Sequence, residues 1–243
     1  MSLNTTDKKE IKLFDSLADE WWDEEGSMSF LHSMSEIRTQ FILEQLTNNF
    51  QIKNKHKILN DIDILDLGCG GGIASEPLCR LGGNVTGIDE SENLINIAKL
   101  HSKRMGLKIN YKCMDIENLI KLKKKYDVIV ALELLEHVNN VEHFCELIIK
   151  LLKNEGIIIL STINRTILSK FFVIEIAENI IKKIPKGTHD YKKFITPEQL
   201  RAIFEKYTYE INNIKGMTWS PISNTWRLTR NTPINYILSL SKK

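Results

Sequence analysis

Asp66-Leu67-Gly68-Cys69-Gly70-Gly71-Gly72 is the stretch of this sequence best suited to hold a small molecule. It follows the apolar run IDILDL, and glycines there let backbone approach a ligand where a Cβ would clash. Asp89 closes a second apolar run, NVTGID, 21 positions after Gly68, where a carboxylate can accept from ribose hydroxyls. A dinucleotide loop would want its third glycine at position 73, which is Ile73, and Asp66 would repel a pyrophosphate. A carboxylate beside the loop suits a cation instead. The expected ligand is S-adenosylmethionine (AdoMet), with its ammonium and sulfonium, held by Asp66, Gly68, Gly70 and Asp89. Asp115, closing a third run, is placed to accept from the adenine amine or to serve as a surface turn acid. Leu132, closing a fourth, either meets the ligand or packs in the core.

The second constellation is Leu132-Glu133-Leu134-Leu135-Glu136-His137. It stands where amino-group methyltransferases of this architecture carry Asp/Asn-Pro-Pro-aromatic, which turns the expectation toward oxygen acceptors. On a helix, Glu133, Glu136 and His137 share one face. Two carboxylates and an imidazole can hold a divalent cation such as Mg2+ with positions open to a substrate. Without a metal, His137 can take a phenol's proton as general base. The plainer alternative is a pair of solvated or capping acids and a histidine that fixes a loop.

These residues need a scaffold that brings strand ends together. IDILDL, NVTGID, KINYKCMD, YDVIVAL and GIIILST read as five apolar strands. Helices alternate with them: one near Pro77–Leu81, one over SENLINIAKLHSKRMG with Ser91 as N-cap, and one over VEHFCELIIKLLKN stopping at Gly156. Such alternation predicts an α/β fold whose parallel sheet is covered on both faces, with its binding crevice at the strands' carboxyl ends. Before the strands, Ile11, Phe14, Leu17 and Ala18 form one helical stripe and Ile37, Phe41, Ile42, Gln45 and Leu46 a second, separated by Trp21, Trp22 and Gly26. After them, Thr196-Pro197-Glu198-Gln199 is a capping box, and INNIKGMTW and NYILSLSKK read as an antiparallel pair joined by a long turn. One domain is expected: 1–55 a helical lid, 56–163 the AdoMet-binding core, 164–195 an insertion, and 196–243 a terminal helix and strands.

Composition agrees with a globular enzyme or binding domain. The 243 residues, 42% hydrophobic and 26% charged, are enough for a full core and too apolar for disorder. A net charge of +2 lacks the basic excess of a nucleic-acid binder, so no nucleic-acid partner is expected. Cys69, Cys79, Cys113 and Cys145 form no C-x-x-C pair, which fits free thiols in a reducing cytoplasm. No secretory signal and no membrane span is legible.

With these pieces assembled, the chain resembles the ubiquinone-biosynthesis O-methyltransferases. The resemblance runs from Trp21-Trp22-Asp23 to Asn235-Tyr236, through WWDEEG, LH with the following Arg38, LDLGCGGGIASE, VTGID, ELLEHV, STINRT, PKGTHDYKKF and NTWRL. It implies a Rossmann-like class I fold, with a mostly parallel seven-stranded sheet, an antiparallel terminal strand and an N-terminal helical extension. It also implies methylation of polyprenylated phenols and catechols at two steps, an early hydroxylated polyprenylphenol and the later demethylubiquinol. Position by position, it places cofactor contacts on Arg38, Gly68, Asp89 and Leu132, with Arg38 as a fork for the methionine carboxylate. It suggests divalent-cation dependence, which favours the metal reading of Glu133, Glu136 and His137. One departure is that His32 is followed by Ser33, and Ser35-Glu36 replaces the family's usual Asn-Pro.

Two other readings compete: a methyltransferase for another small phenol or lipid, and a non-catalytic AdoMet-binding scaffold in a biosynthetic complex. The intact Glu133, Glu136 and His137 argue against the scaffold. A polyprenyl tail resides in a bilayer, so residues 166–184 are of interest. Phe172, Val173, Ile176, Ala177, Ile180 and Ile184 fall on a broad apolar face, and Lys170, Lys182, Lys183 and Lys186 could meet anionic headgroups at the cytoplasmic face of a membrane. An amphipathic helix packed on the sheet is the equal alternative. The glycine-loop reading makes a first prediction. Asp89→Ala is expected to weaken AdoMet binding by roughly 1.5–3 kcal/mol, the loss of a charged acceptor; unchanged affinity by calorimetry in a folded variant would remove Asp89 from the site.

Overall fold

The alternating strands and helices close into one eight-stranded sheet in the order β3-β2-β1-β4-β5-β8-β6-β7. The computed structural model describes residues 8–52, 58–171, 190–220, 223 and 225–243. Strands β1 (Asp63–Leu67), β2 (Asn84–Asp89), β3 (Asn110–Cys113), β4 (Tyr126–Leu132) and β5 (Leu152–Ile163) are parallel. Helices α3 (Ser75–Arg80), α4 (Glu92–Arg104), α5 (Ile116–Lys121) and α6 (Val141–Leu151) connect them. After α8 (Pro197–Glu205), β6 (Tyr209–Ser220), β7 (Thr225–Thr229) and β8 (Asn235–Lys242) add antiparallel strands, β8 lying beside β5. The expected terminal pair is β6 with β8. The long turn between them holds β7, which folds back on β6 and makes the sheet eight strands wide rather than seven.

Period-two alternation separates two cores. Leu65, Ile129, Ala131, Ile158 and Leu160 face Cys145 and Ile148 of α6 and Leu200 and Phe204 of α8. Ile64, Val128, Val130, Ile157 and Ile159 face Phe41, Ile42 and Leu46 of α2 (Ser29–Phe50). Successive strand residues point to opposite faces, so a sheet covered on both sides is apolar at every position. The stripe expected on α2 is therefore core. Over the crevice lie α1 (Lys8–Ser16) and the turns that follow through Trp21 and Trp22, with Leu31 and Arg38 of α2 beside them. Of the stretch expected at 166–184, residues from 172 onward lie outside the described residues; before it, Ile167–Ser169 form a single helical turn, α7.

The caps follow the sequence closely. Ser91 Oγ accepts from Leu94 N at 3.1 Å, and Thr196 and Gln199 exchange both bonds of a capping box. Gly156 is different. Helix α6 ends at Leu151 and the chain passes at once into β5, so this glycine is no helix cap. A Cβ there would sit 2.7 Å from Leu152 Cγ and 2.8 Å from Asp127 O, across the irregular pairing of β4 with β5. Gly156→Ala is accordingly expected to cost about 1–3 kcal/mol by overpacking, read as a lower urea midpoint; a shift within error would mean that β4 and β5 separate freely at this point.

Candidate functional site

The strand order reverses between β1 and β4, and at such a point the loops above the carboxyl ends part to leave a crevice. The glycine loop leaves β1 here. Gly68 has φ +66, and a Cβ would come within 2.7 Å of Leu134; Gly70 has φ +52, with Trp21 pressed to 2.3 Å of where its Cβ would be. Asp89, at the end of β2, fastens the loop: its Oδ2 accepts from Gly70 N and its Oδ1 from Ser91 N, both at 2.9 Å. Burial raises the Asp89 carboxyl above its usual range, opposed by those two amide bonds. Its bond to Gly70 holds the loop in place, and its remaining lone pairs are available to a ribose.

One cavity at this crevice is lined by Arg38, Asp66, Gly68, Gly70, Asp89, Asp115, Leu132, Glu133 and His137, together with Phe14, Trp21 and Leu31 of the N-terminal segment. The tertiary structure thus brings together all the expected positions but Glu136. Asp66 is buried, takes a 2.5 Å hydrogen bond from Ser75 Oγ, and is pushed by burial from 3.8 to about 7. Leu132 is half-buried at the end of β4, paired in register with Ser161. Asp115 keeps the local role that its equal reading allowed: it caps α5, its Oδ1 accepting from Asn118 N at 2.6 Å and its Oδ2 from Asn118 Nδ2 at 2.9 Å. It borders the cavity with both oxygens engaged.

The expected divalent-cation set of Glu133, Glu136 and His137 is not assembled. These residues are not one helix face: Glu133 has φ +49, and only Leu135–His137 form a turn of 3-10 helix. Glu133 is turned to Arg38 in a buried ion pair of 2.9 Å and accepts from Ser161 Oγ at 2.8 Å. Glu136 points elsewhere, its Oε2 accepting from Thr162 Oγ1 at 2.7 Å while Oε1 has no partner. Burial, and then the charge of Glu133, raise the Glu136 carboxyl to about 8. Among the described residues, no group of three or more His, Cys, Asp or Glu side chains is arranged to hold a metal. His137 is buried at the cavity wall, with the Phe14 ring edge-on at a 5.1 Å centroid distance.

With that geometry in view, the comparisons are decisive. Residues 65–160 match the family model described as a methyltransferase domain. The chain is 43% identical over 240 residues, 99% of this chain and 100% of the relative, to the ubiquinone biosynthesis O-methyltransferase of Pelagibacter ubique. The chain belongs to the ubiquinone biosynthesis O-methyltransferases. The mitochondrial enzyme of that name from Rattus norvegicus is 39% identical, covering 96% of this chain and 68% of the relative. In fold, this methyltransferase is similar to magnesium protoporphyrin IX methyltransferase from Synechocystis with bound SAH, at TM-score 0.60 and 18% identity, covering 84% of this chain and 82% of that one. It is also similar to the plantazolicin methyltransferase BpumL, at TM-score 0.59 and 20% identity, covering 97% of each chain.

Several residues of this site escaped sequence reasoning. Phe14 reads as one member of a helical stripe, and only the fold lays it on His137. Ser161 and Thr162 belong to the STINRT motif, yet their roles depend on strand register, which sets them beside Glu133 and Glu136. The buried carboxyls give the methyltransferase a pH signature. In the fold, Asp66 and Glu136 retain protons that the unfolded chain releases near pH 4–5, so the native state binds more protons up to about pH 7 and 8 respectively. Stability is therefore expected to fall as pH rises through that window, by up to ~1.4 kcal/mol per pH unit for each group. Urea unfolding between pH 5 and 8 measures it, and Asp66→Asn with Glu136→Gln should flatten the slope; a flat wild-type profile would show both carboxyls ionised in the fold.

Proposed function

We propose that this chain transfers the methyl group of AdoMet to a phenol or catechol hydroxyl of a polyprenylated intermediate of ubiquinone biosynthesis. The observation that carries this reading is the convergence of Asp66, Asp89, Arg38, Glu133 and His137 on one cavity beside the glycine loop. Asp66 and Glu133 suit the cationic end of the ligand, Arg38 its carboxylate, and Asp89 its ribose. The phenolic oxygen attacks the sulfonium methyl, the carbon–sulfur bond breaks, and S-adenosylhomocysteine (AdoHcy) departs uncharged at sulfur. His137 accepts the phenol proton as the new bond forms. Phe14 and Trp21 wall this step off from water, which keeps the oxygen nucleophile desolvated. The step needs only these side chains; among the described residues no group of three or more His, Cys, Asp or Glu is arranged around a metal position.

Where the substrate enters is suggested by Ile167, Leu168 and Phe171, which are exposed just past the carboxyl end of β5. Strand carboxyl ends are the side on which the glycine loop and cavity lie, and we infer that this apolar step rests on an anionic membrane surface so that the polyprenyl tail need not leave the bilayer. Among the described residues no helix is long and apolar enough to cross a membrane, so contact would be peripheral.

Incubation with labelled AdoMet and short-chain analogues of both intermediates is expected to give methyl ethers, detected by mass. His137→Ala should lower kcat by roughly 10²–10⁴-fold with AdoMet affinity preserved. No product from either phenol, with AdoMet bound normally, would point to a different acceptor. Co-sedimentation with anionic liposomes, lost in Ile167→Glu/Leu168→Glu, tests the membrane contact; wild-type protein left in the supernatant at low salt would refute it.

A further inference from the structure

The Trp21-Trp22 pair is joined to the rest of the molecule by a cluster that methyl transfer does not use. Trp22 stacks on His101 of α4, with ring centroids 3.5 Å apart and planes 10° from parallel. Its indole Nε1 donates to the Gly71 carbonyl of the glycine loop at 3.0 Å. On the other side, His101 Nδ1 donates to Glu76 Oε1 at 2.7 Å, and Arg80 Nη2 reaches Glu76 Oε2 at 3.3 Å. Glu76 is a buried carboxylate on α3, and its own amide bonds Gly72 O at 3.1 Å. The circuit closes on itself: glycine loop, Glu76, His101, Trp22, and back to the loop. Next to it, His32 Nε2 meets the Trp21 carbonyl at 2.8 Å, and Trp21 lies flat against Gly70 and Gly71.

This circuit decides where the segment above the cavity sits. Phe14 and Trp21 line the cavity from the N-terminal segment, so the position of that segment bears on how a ligand there is held. At the far end of α1, Ser91 Oγ at the start of α4 donates a hydrogen bond to Asp15 Oδ1. We propose that Glu76 and His101 are positioning residues that anchor Trp22 and so set how long the lid stays closed over AdoMet and AdoHcy. Neither touches the reacting atoms. The proposal rests on the AdoMet reading of the cavity, and it makes the buried Glu76–His101 pair a control on product release rather than on chemistry. A carboxylate fixes the ring's plane, and a fixed ring offers the indole a stacking face with no conformational entropy left to lose.

The test is stopped-flow displacement of AdoHcy, with steady-state kinetics, in His101→Ala, His101→Phe and Trp22→Phe. His101→Ala is expected to speed AdoHcy release and raise the KM for AdoMet about tenfold, ~1.4 kcal/mol, with kcat unchanged or higher. His101→Phe keeps the stack without the Glu76 bond and should fall between. Trp22→Phe loses the donor to Gly71 and should behave as His101→Ala does, which keeps the test alive should that variant fold poorly. Limited proteolysis of the ligand-free protein near Lys12 should quicken in the same order. Wild-type release rates with only a lowered Tm would overturn the proposal and leave the cluster a fold stabiliser. If the wild type bound no AdoMet, the functional reading would fail, while proteolysis would still report on the anchor.

Discussion

The site depends on one constraint: the backbone between β1 and α3 must turn through positive φ at Gly68, Gly70 and Gly72 without a side chain in the way. Only glycine does this at no steric cost. Asp89 stabilises the turn by accepting the Gly70 amide, and the same carboxylate starts α4 through the Ser91 amide. Sheet, loop and two helices are thereby coupled at a single acid. Crowding by Leu134 and Trp21 then leaves the glycine positions with no room for a Cβ.

Above that turn, the protein gathers more negative than positive charge. The buried Arg38 pairs with Glu133 and also lies near Glu136, while burial raises the Asp66 carboxyl to about 7 and, with the charge of Glu133, the Glu136 carboxyl to about 8. Burial and like charge are the causes, and both are eased by a cation. A cationic ligand beside these groups would lower both carboxyls toward their ionised forms. The ion pair of Arg38 with Glu133 belongs to the same economy, because a ligand carboxylate would compete for the guanidinium and leave Glu133 facing the cavity.

Apolar surface does the remaining work. Phe14, Trp21 and Leu31 bring the N-terminal segment down over the cavity, while Ile167, Leu168 and Phe171 stay exposed beyond β5. The first group walls the cavity; the second is an exposed apolar step.

What the sequence determined by itself was whatever depends on neighbours along the chain. The five parallel strands, the Ser91 and Thr196 caps and the glycine loop with its acid were legible because period, capping and turn chemistry act over a few residues. The family was legible for the same reason, through short motifs such as WWDEEG, the NRT of STINRT, and PKGTHD. Tertiary structure decided whatever depends on partners distant in sequence. Register across β4 and β5 placed Ser161 against Glu133, and the fold set Arg38 of α2 on the same carboxylate, turning an expected metal ligand into half of an ion pair. The positive φ of Glu133 broke the helical spacing that would have put three ligands on one face. Gly156 reads as a helix stop in one dimension and is a packing contact in three, since Asp127 of β4 reaches it only once β4 and β5 are paired. A residue type and a spacing specify which contacts are possible; the burial and charge that choose among them exist only after the chain has folded.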